Sequence, residues 1–310
     1  MRIDSHVHYT SCRCFPELEE YRRRADLDKV FLLSTTRPDD GLSFNGAVHD
    51  AIVRDGEHYV GLGAFEYASS LSLEDQVLKM RDMGFVGIKM LEGKPTFHKE
   101  LGRSICDPCY RKALDRAAKE GMFMLVHIAD PPVFWDREYG QYVDGYDSFE
   151  SYIGQMEDFL SMYSGLKCIF AHLAFLARGV EDLGRIMESH GNLLLDTTPG
   201  RWFYRPITEQ REAYSAFFRR FHDRILTGTD AAFADSSTSG LLAAKPIEES
   251  LDIVHTVDRF LFSEEPFHDT FPYRVPVESL TLRGLGLSDL EKEIGVDNAE
   301  RLICKGCDRR

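Results

Sequence analysis

Apolar and polar positions run along this chain in two alternating rhythms. Short apolar runs of strand type alternate with longer segments of helical periodicity. Strands are predicted over residues 3–9, 29–35, 59–65, 86–91, 123–129, 167–173, 192–198 and 224–230. Between them lie predicted helices at 16–24, 45–55, 149–163, 180–189, 208–221 and 246–262. Two more are marked by their ends. Ser72 and Asp75 form a capping box for a helix that stops at Gly84, and Asp107 with Pro108 opens one that ends at Gly121. Short helical turns fill 288–303.

Eight strands alternating with helices imply a parallel sheet, and eight units predict closure into one α/β domain over residues 1–310, a (β/α)8 TIM barrel. The alternative is an open doubly wound sheet, but no G-x-G-x-x-G follows the first strand. Long loops are expected at 130–148, 199–207 and 231–245. Each follows a strand's C-terminal end, the face on which barrel enzymes build their sites.

Composition narrows the partners. The 310 residues are 43% hydrophobic and 28% charged, which is globular. A net charge of −14 argues against nucleic acid and anionic membranes as partners, and no apolar run is long enough to span a bilayer. A small-molecule substrate is the expected partner, and a homo-oligomer stays open. The N-terminus is expected to enter a strand directly, with no signal peptide before it. Six of the seven cysteines form close pairs at Cys12/Cys14, Cys106/Cys109 and Cys304/Cys307. In a chain of this size they are expected as free thiols of a cytoplasmic protein.

The chemistry gathers at strand ends. In strand one, period-two alternation places Asp4, His6 and His8 on one face, and imidazoles about 7 Å apart can share one ion. A lone His-x-His is more often an edge-strand surface pair. Strand five, however, ends in His127, strand six in His172 and strand eight in Asp230, while strand four carries Lys89. Alone, each has an ordinary explanation as a hydrogen-bonded core residue, a cap or a rim charge. Together they converge at one end of the barrel, where unpaired burial costs several kcal/mol. One divalent metal would satisfy His6, His8, His127 and Asp230 together.

These pieces resemble the amidohydrolase superfamily of metal-dependent hydrolases, above all the branch that includes aminocarboxymuconate semialdehyde decarboxylase. The matching stretches are Asp4-Ser-His-Val-His8, Gly87-Ile-Lys89, Val126-His127, Ala171-His172-Leu173, Gly228-Thr-Asp230 and the ending Asp297-Asn-Ala-Glu-Arg-Leu-Ile303. The resemblance implies His6, His8, His127 and Asp230 as metal ligands and His172 as an acid/base or as the group that polarises the substrate. It also implies Asp230 as acceptor of the proton from metal-bound water. In binuclear members a carboxylated lysine at the position of Lys89 bridges a second metal and His172 becomes a ligand. The closer branch favours one ion, zinc first, with manganese, iron or cobalt as alternatives.

Around this centre, Trp135 beside Phe134 and the cluster Arg201, Trp202, Tyr204 and Arg205 are candidates for lining a substrate pocket. The arginines suit a carboxylate. Equally, the aromatics could pack the loops and the arginines face solvent. His49, His58, His98, His190, His222, His255 and His268 read as surface residues. The leading expectation is a hydrolase of a small organic acid. A non-oxidative decarboxylase and a catalytically silent metal-binding protein are the alternatives.

Overall fold

The computed structural model describes residues 2–137, 140–199, 201–235, 246–268 and 281–307. Nine parallel strands form one sheet. They are β1 (Ile3–Tyr9), β2 (Lys29–Leu33), β3 (Tyr59–Gly63), β4 (Gly87–Gly93), β5 (Phe123–Ile128), β6 (Cys168–Phe170), β7 (Leu193–Asp196), β8 (Ile225–Leu226) and β9 (Ala231–Phe233). The first seven pair in chain order. β8 pairs with β7, and β9 pairs with β1.

The last two are halves of one interrupted strand. Between them, the Ser5 N–H donates to the Thr227 carbonyl and the Asp230 N–H to the His6 carbonyl. The ring of hydrogen bonds is therefore complete and the barrel is closed. The expected eighth strand was continuous over 224–230. The break arises where Asp230 takes a left-handed φ of 57°, and pairing resumes over 231–233, inside the expected loop.

Helices cover the outside: α1 (Phe15–Arg24), α2 (Asn45–Arg54), α3 (Leu73–Asp82), α4 (Pro95–Leu101), α5 (Arg111–Lys119), α6 (Phe149–Met162), α7 (Val180–Ser189), α8 (Arg201–Glu209), α9 (Arg211–Arg220), α10 (Ile247–Phe262) and α11 (Asn298–Cys307). The Ser72 side chain caps α3 as expected, accepting from the Asp75 N–H. α8 falls where a loop was expected. Its Phe203, Tyr204 and Ile207 are buried at helical spacing, and this packing outweighs Pro206 within the helix. A two-stranded antiparallel sheet joins Pro266–His268 to Thr281–Arg283. None of the described helices is long and apolar enough to cross a membrane.

Two apolar layers result. The larger lies between sheet and helices. The smaller fills the barrel: Ile3, Phe31, Leu33, Leu62, Phe123, Leu125, Ile169 and Leu226 pack with Val296, Ala299 and Leu302 from the C-terminal segment. The bottom of the barrel is thus plugged by apolar side chains. Cys12, Cys14, Cys106, Cys109, Cys168 and Cys304 are free thiols.

Strand one departs from simple alternation. Its pairing with β2 is irregular between Asp4 and Val7. Ile3 belongs to the barrel interior, whereas Val7 and Tyr9 join the outer layer. The bulge therefore separates Asp4 from the face that carries His6 and His8.

Gly228 marks the tightest approach between the eighth strand and β1. A Cβ there would lie 2.7 Å from Thr198 Cγ2 and 2.9 Å from His6 Cβ. Gly228→Ala should cost about 1–3 kcal/mol by overpacking. Gly154→Ala, on α6 with open space around it, should instead stabilise by about 0.5–1 kcal/mol. Urea midpoints of the two variants check both signs. Equal midpoints would show that the strand contact tolerates a methyl group.

Candidate metal centre

β1 places His6 and His8 at the mouth of the barrel, and the break in the eighth strand brings Asp230 beside them. The Nε2 atoms of the two histidines are 3.4 Å apart. Asp230 Oδ1 lies 3.4 Å from His6 Nε2 and 3.3 Å from His8 Nε2. Both imidazoles are buried, while the Asp230 side chain keeps 34% exposure. The approach to the cluster is therefore from the Asp230 side.

Electrostatics make this a set of open donors. Burial, reinforced by the charge of Lys89, lowers the His6 pKa to about 3. Burial also lowers that of His8. Both rings are neutral at pH 7 and offer lone pairs. Burial works to raise the Asp230 carboxyl, but the hydrogen bond with His8 and the adjacent imidazoles hold it well below the ordinary range. The group is two neutral imidazoles and one carboxylate, with one ligand atom from each lying within 4.8 Å of the others. That donor set, with positions left open, fits a divalent ion of the zinc class.

Lys89 reaches the same point from β4. Its Nζ is 3.2 Å from His6 Nε2, and burial lowers its pKa to about 8. His172 stands alongside, with ring centres 5.7 Å from His6 and 5.1 Å from His127. It opens a run of four left-handed residues, His172 to Phe175, with φ between 50° and 58°. Each such non-glycine residue costs roughly 1–2 kcal/mol. The turn stacks Phe175 on the His172 ring at 4.8 Å and next to His127 at 5.4 Å.

His127 is in this neighbourhood but outside the three-ligand group. Its Nε2 is 3.4 Å from Asp130 Oδ1, and Asp130 in turn accepts from Tyr142 at 2.6 Å and Lys94 at 3.3 Å. Asp130 carries no strand-end signal in the sequence, because it lies beyond the predicted strand.

Several other groups escaped the sequence reading. Asp196 ends β7, fully buried, with Oδ2 2.7 Å from His6 Nδ1. It closes an apolar strand just as His127 does, so the same signal was present. The expected strand ran on to Thr198 and hid it. Thr35, after β2, sits 3.2 Å from His8 Nδ1. Asp4 is a bracket. Its carboxylate accepts from the His6 and Thr229 N–H groups, both at 3.1 Å, and from the Tyr21 and Thr229 hydroxyls at 2.7 and 2.6 Å. It pins β1 to α1 and to the break in the eighth strand.

The expected pocket residues are dispersed. Trp135 packs on Tyr142, Phe149 and Tyr152, with its Nε1–H on the Asp147 carbonyl. Tyr204 is buried against Phe260. Arg205 is a surface residue paired with Glu209. The side chains of Arg201 and Trp202 lie outside the described residues. The cavity beside His172 is lined instead by Pro131, Pro132, Val133, Phe175, Ala177 and Phe203, with Arg178 as its cation.

Comparison with known proteins identifies the family and the fold. The family model described as Amidohydrolase matches residues 68–303. The chain belongs to the amidohydrolase family. The match contains Lys89, His127, His172 and Asp230 but begins after β1, so His6 and His8 enter through the fold. No protein of curated function matches the sequence. Solved structures share the fold at low identity. An uncharacterised TIM-barrel protein from Bordetella bronchiseptica is 12% identical with a TM-score of 0.61, 99% of each chain being covered. 5-Carboxyvanillate decarboxylase from Sphingomonas paucimobilis is 10% identical, with a TM-score of 0.57 over 98% of each chain. An amidohydrolase from Burkholderia multivorans with bound zinc is 10% identical, with a TM-score of 0.58 over 98% of this chain and 99% of that one. The fold and family are those that the strand-end residues resemble.

Tyr21→Phe tests the bracket. It removes one donor from a buried carboxylate and should destabilise the fold by about 1–3 kcal/mol, read from thermal unfolding. Metal bound per folded chain should not change. Loss of metal without loss of stability would move Asp4 from bracket to ligand.

Proposed function

We propose that this amidohydrolase is a metal-dependent hydrolase of a small, carboxylate-bearing organic molecule. The observation that carries the reading is the convergence of His6 Nε2, His8 Nε2 and Asp230 Oδ1 within hydrogen-bonding range of one another at the barrel mouth. These three would hold one divalent ion, zinc by its donor set, with His127 as a further candidate ligand from the end of β5. When bound, such an ion polarises a substrate oxygen and lowers the pKa of water towards neutrality.

The chain's own groups supply the rest. Asp230 is ionised, partly exposed and adjacent to both imidazoles, so its carboxylate is the natural acceptor of a proton from attacking water. His172 borders the cavity and lies next to His6, where it can orient water or substrate. On this reading Lys89 acts as a neighbouring amine, its Nζ 3.2 Å from His6 Nε2, and not as a carboxylated bridge. The cavity walls are mainly apolar, and Arg178 offers a planar fork for a carboxylate at the rim. Arg178 replaces Arg205 in the expected role, since Arg205 pairs with Glu209 on the surface.

A non-oxidative decarboxylase is the second reading. It is favoured by the apolar walls beside His172, which suit a ring, and by the shared fold with 5-carboxyvanillate decarboxylase. Both readings use the same centre and act on a small molecule.

Purified chain should carry about one divalent ion, and His8→Ala and Asp230→Ala should lose it by elemental analysis. Chelation should abolish turnover across a panel of lactones, amides and aromatic acids, and added zinc should restore it. Hydrolysis predicts a new acid without released carbon dioxide. Stoichiometric carbon dioxide would select the decarboxylase, and full activity without metal would end both readings. Arg178→Ala should raise KM for carboxylate substrates about 10–100-fold, the loss of a charge-assisted hydrogen bond worth about 1.5–3 kcal/mol. Neutral analogues should be unaffected.

A further inference from the structure

Four donors converge on the carboxylate of Asp196, behind the two imidazoles. Its Oδ2 lies 2.7 Å from His6 Nδ1, and neither side chain is exposed. Its Oδ1 accepts the backbone N–H of His172 at 2.8 Å and that of Thr198 at 3.2 Å, and lies 2.5 Å from Thr198 Oγ1. A carboxylate crowded in this way has only lone pairs to offer. His6 Nδ1 must therefore carry a proton. The opposite nitrogen agrees, because Lys89 Nζ, a donor, is 3.2 Å from His6 Nε2.

The same logic passes to His172 through Thr198. Two oxygens 2.5 Å apart need a hydrogen between them, and it can come only from the Thr198 hydroxyl. That hydroxyl has one hydrogen, already given to Asp196. Towards His172 Nδ1, 2.8 Å away, Thr198 Oγ1 thus presents lone pairs. The Thr198 carbonyl oxygen, 3.3 Å from the same nitrogen, can also only accept. His172 Nδ1 must carry its proton too.

We infer that Asp196 and Thr198 are positioning residues that lock both His6 and His172 in the Nδ1–H tautomer. In that tautomer each ring keeps its Nε2 as a lone pair. For His6 this is the nitrogen facing His8 and Asp230. For His172 it means entry into the chemistry as a proton acceptor or a ligand, and not as a proton donor in the neutral state. The role of His172 rests on the proposed function; the tautomers do not.

Ring-nitrogen NMR of the whole 15N-labelled chain, with metal removed by chelation, reads the lock directly. His6 and His172 should each show a protonated, pyrrole-type Nδ1 and a bare, pyridine-type Nε2. Thr198→Val removes the 2.8 Å hydroxyl contact and keeps the 3.3 Å backbone carbonyl, so the His172 Nδ1–H signal should shift and exchange faster with solvent while that of His6 stays, and Thr198→Ser should restore it. Asp196→Asn should weaken zinc binding 10–100-fold in competition with a chelating dye. An Nε2–H tautomer at either histidine in the unaltered chain would overturn the inference, and this spectrum decides even if a variant fails to fold. An unshifted His172 Nδ1–H signal in Thr198→Val, or unchanged zinc affinity in Asp196→Asn, would count equally against it. The spectra need neither substrate nor metal, so a failed activity assay leaves them standing.

Discussion

A carboxylate 3.3–3.4 Å from two buried imidazole nitrogens is the contact on which this structure turns. Buried neutral imidazoles and an ionised carboxylate are costly to assemble in a low-dielectric mouth unless each has partners. Here every member is braced from behind. His6 leans on Asp196, His8 on Thr35, and the strand that bears them is pinned by Asp4. The eighth strand is broken at Asp230, yet its two halves still close the barrel on either side. Closure and site geometry are one constraint, because the backbone N–H that places Asp230 donates to the carbonyl of His6.

Backbone strain is concentrated around this contact. Ala129, the run from His172 to Phe175, and Asp230 all adopt left-handed φ just beyond β5, β6 and the broken eighth strand. Ordinary residues avoid that region, and the penalty persists only where surrounding packing fixes it. The layer between sheet and helices supplies that packing, for Ala129, Leu173 and Ala174 are buried in it and Phe175 packs against it. An apolar layer sealed by Val296, Ala299 and Leu302 leaves the upper mouth free to hold polar groups in unfavourable backbone conformations.

How far the sequence could be read follows from range. Apolar runs fix strands locally, so the eight-unit barrel and the strand-end residues His6, His8, His127, His172 and Asp230 could be read directly. The bulge that turns Asp4 away could not, because it depends on pairing with β2, a long-range event. The break at Asp230 was hidden for the same reason. α8 was missed because Pro206 and a polar start mask a buried face that only the fold reveals. Arg205 and Tyr204 were plausible pocket residues by position alone. Their actual partners, Glu209 and Phe260, are set by helix geometry and by packing against α10. Arg178 offered no sequence signal beyond its charge, and Asp196 offered one that a strand extended to Thr198 concealed.

The central claim is that the three converging atoms form a metal site. The most direct measurement is a crystal structure of the zinc-loaded chain, with anomalous data collected on both sides of the zinc edge. The account predicts one peak, within coordination distance of His6 Nε2, His8 Nε2 and an Asp230 oxygen, about 2.0–2.2 Å from each. An ion held away from these three residues, or no ion at saturating zinc, would contradict it.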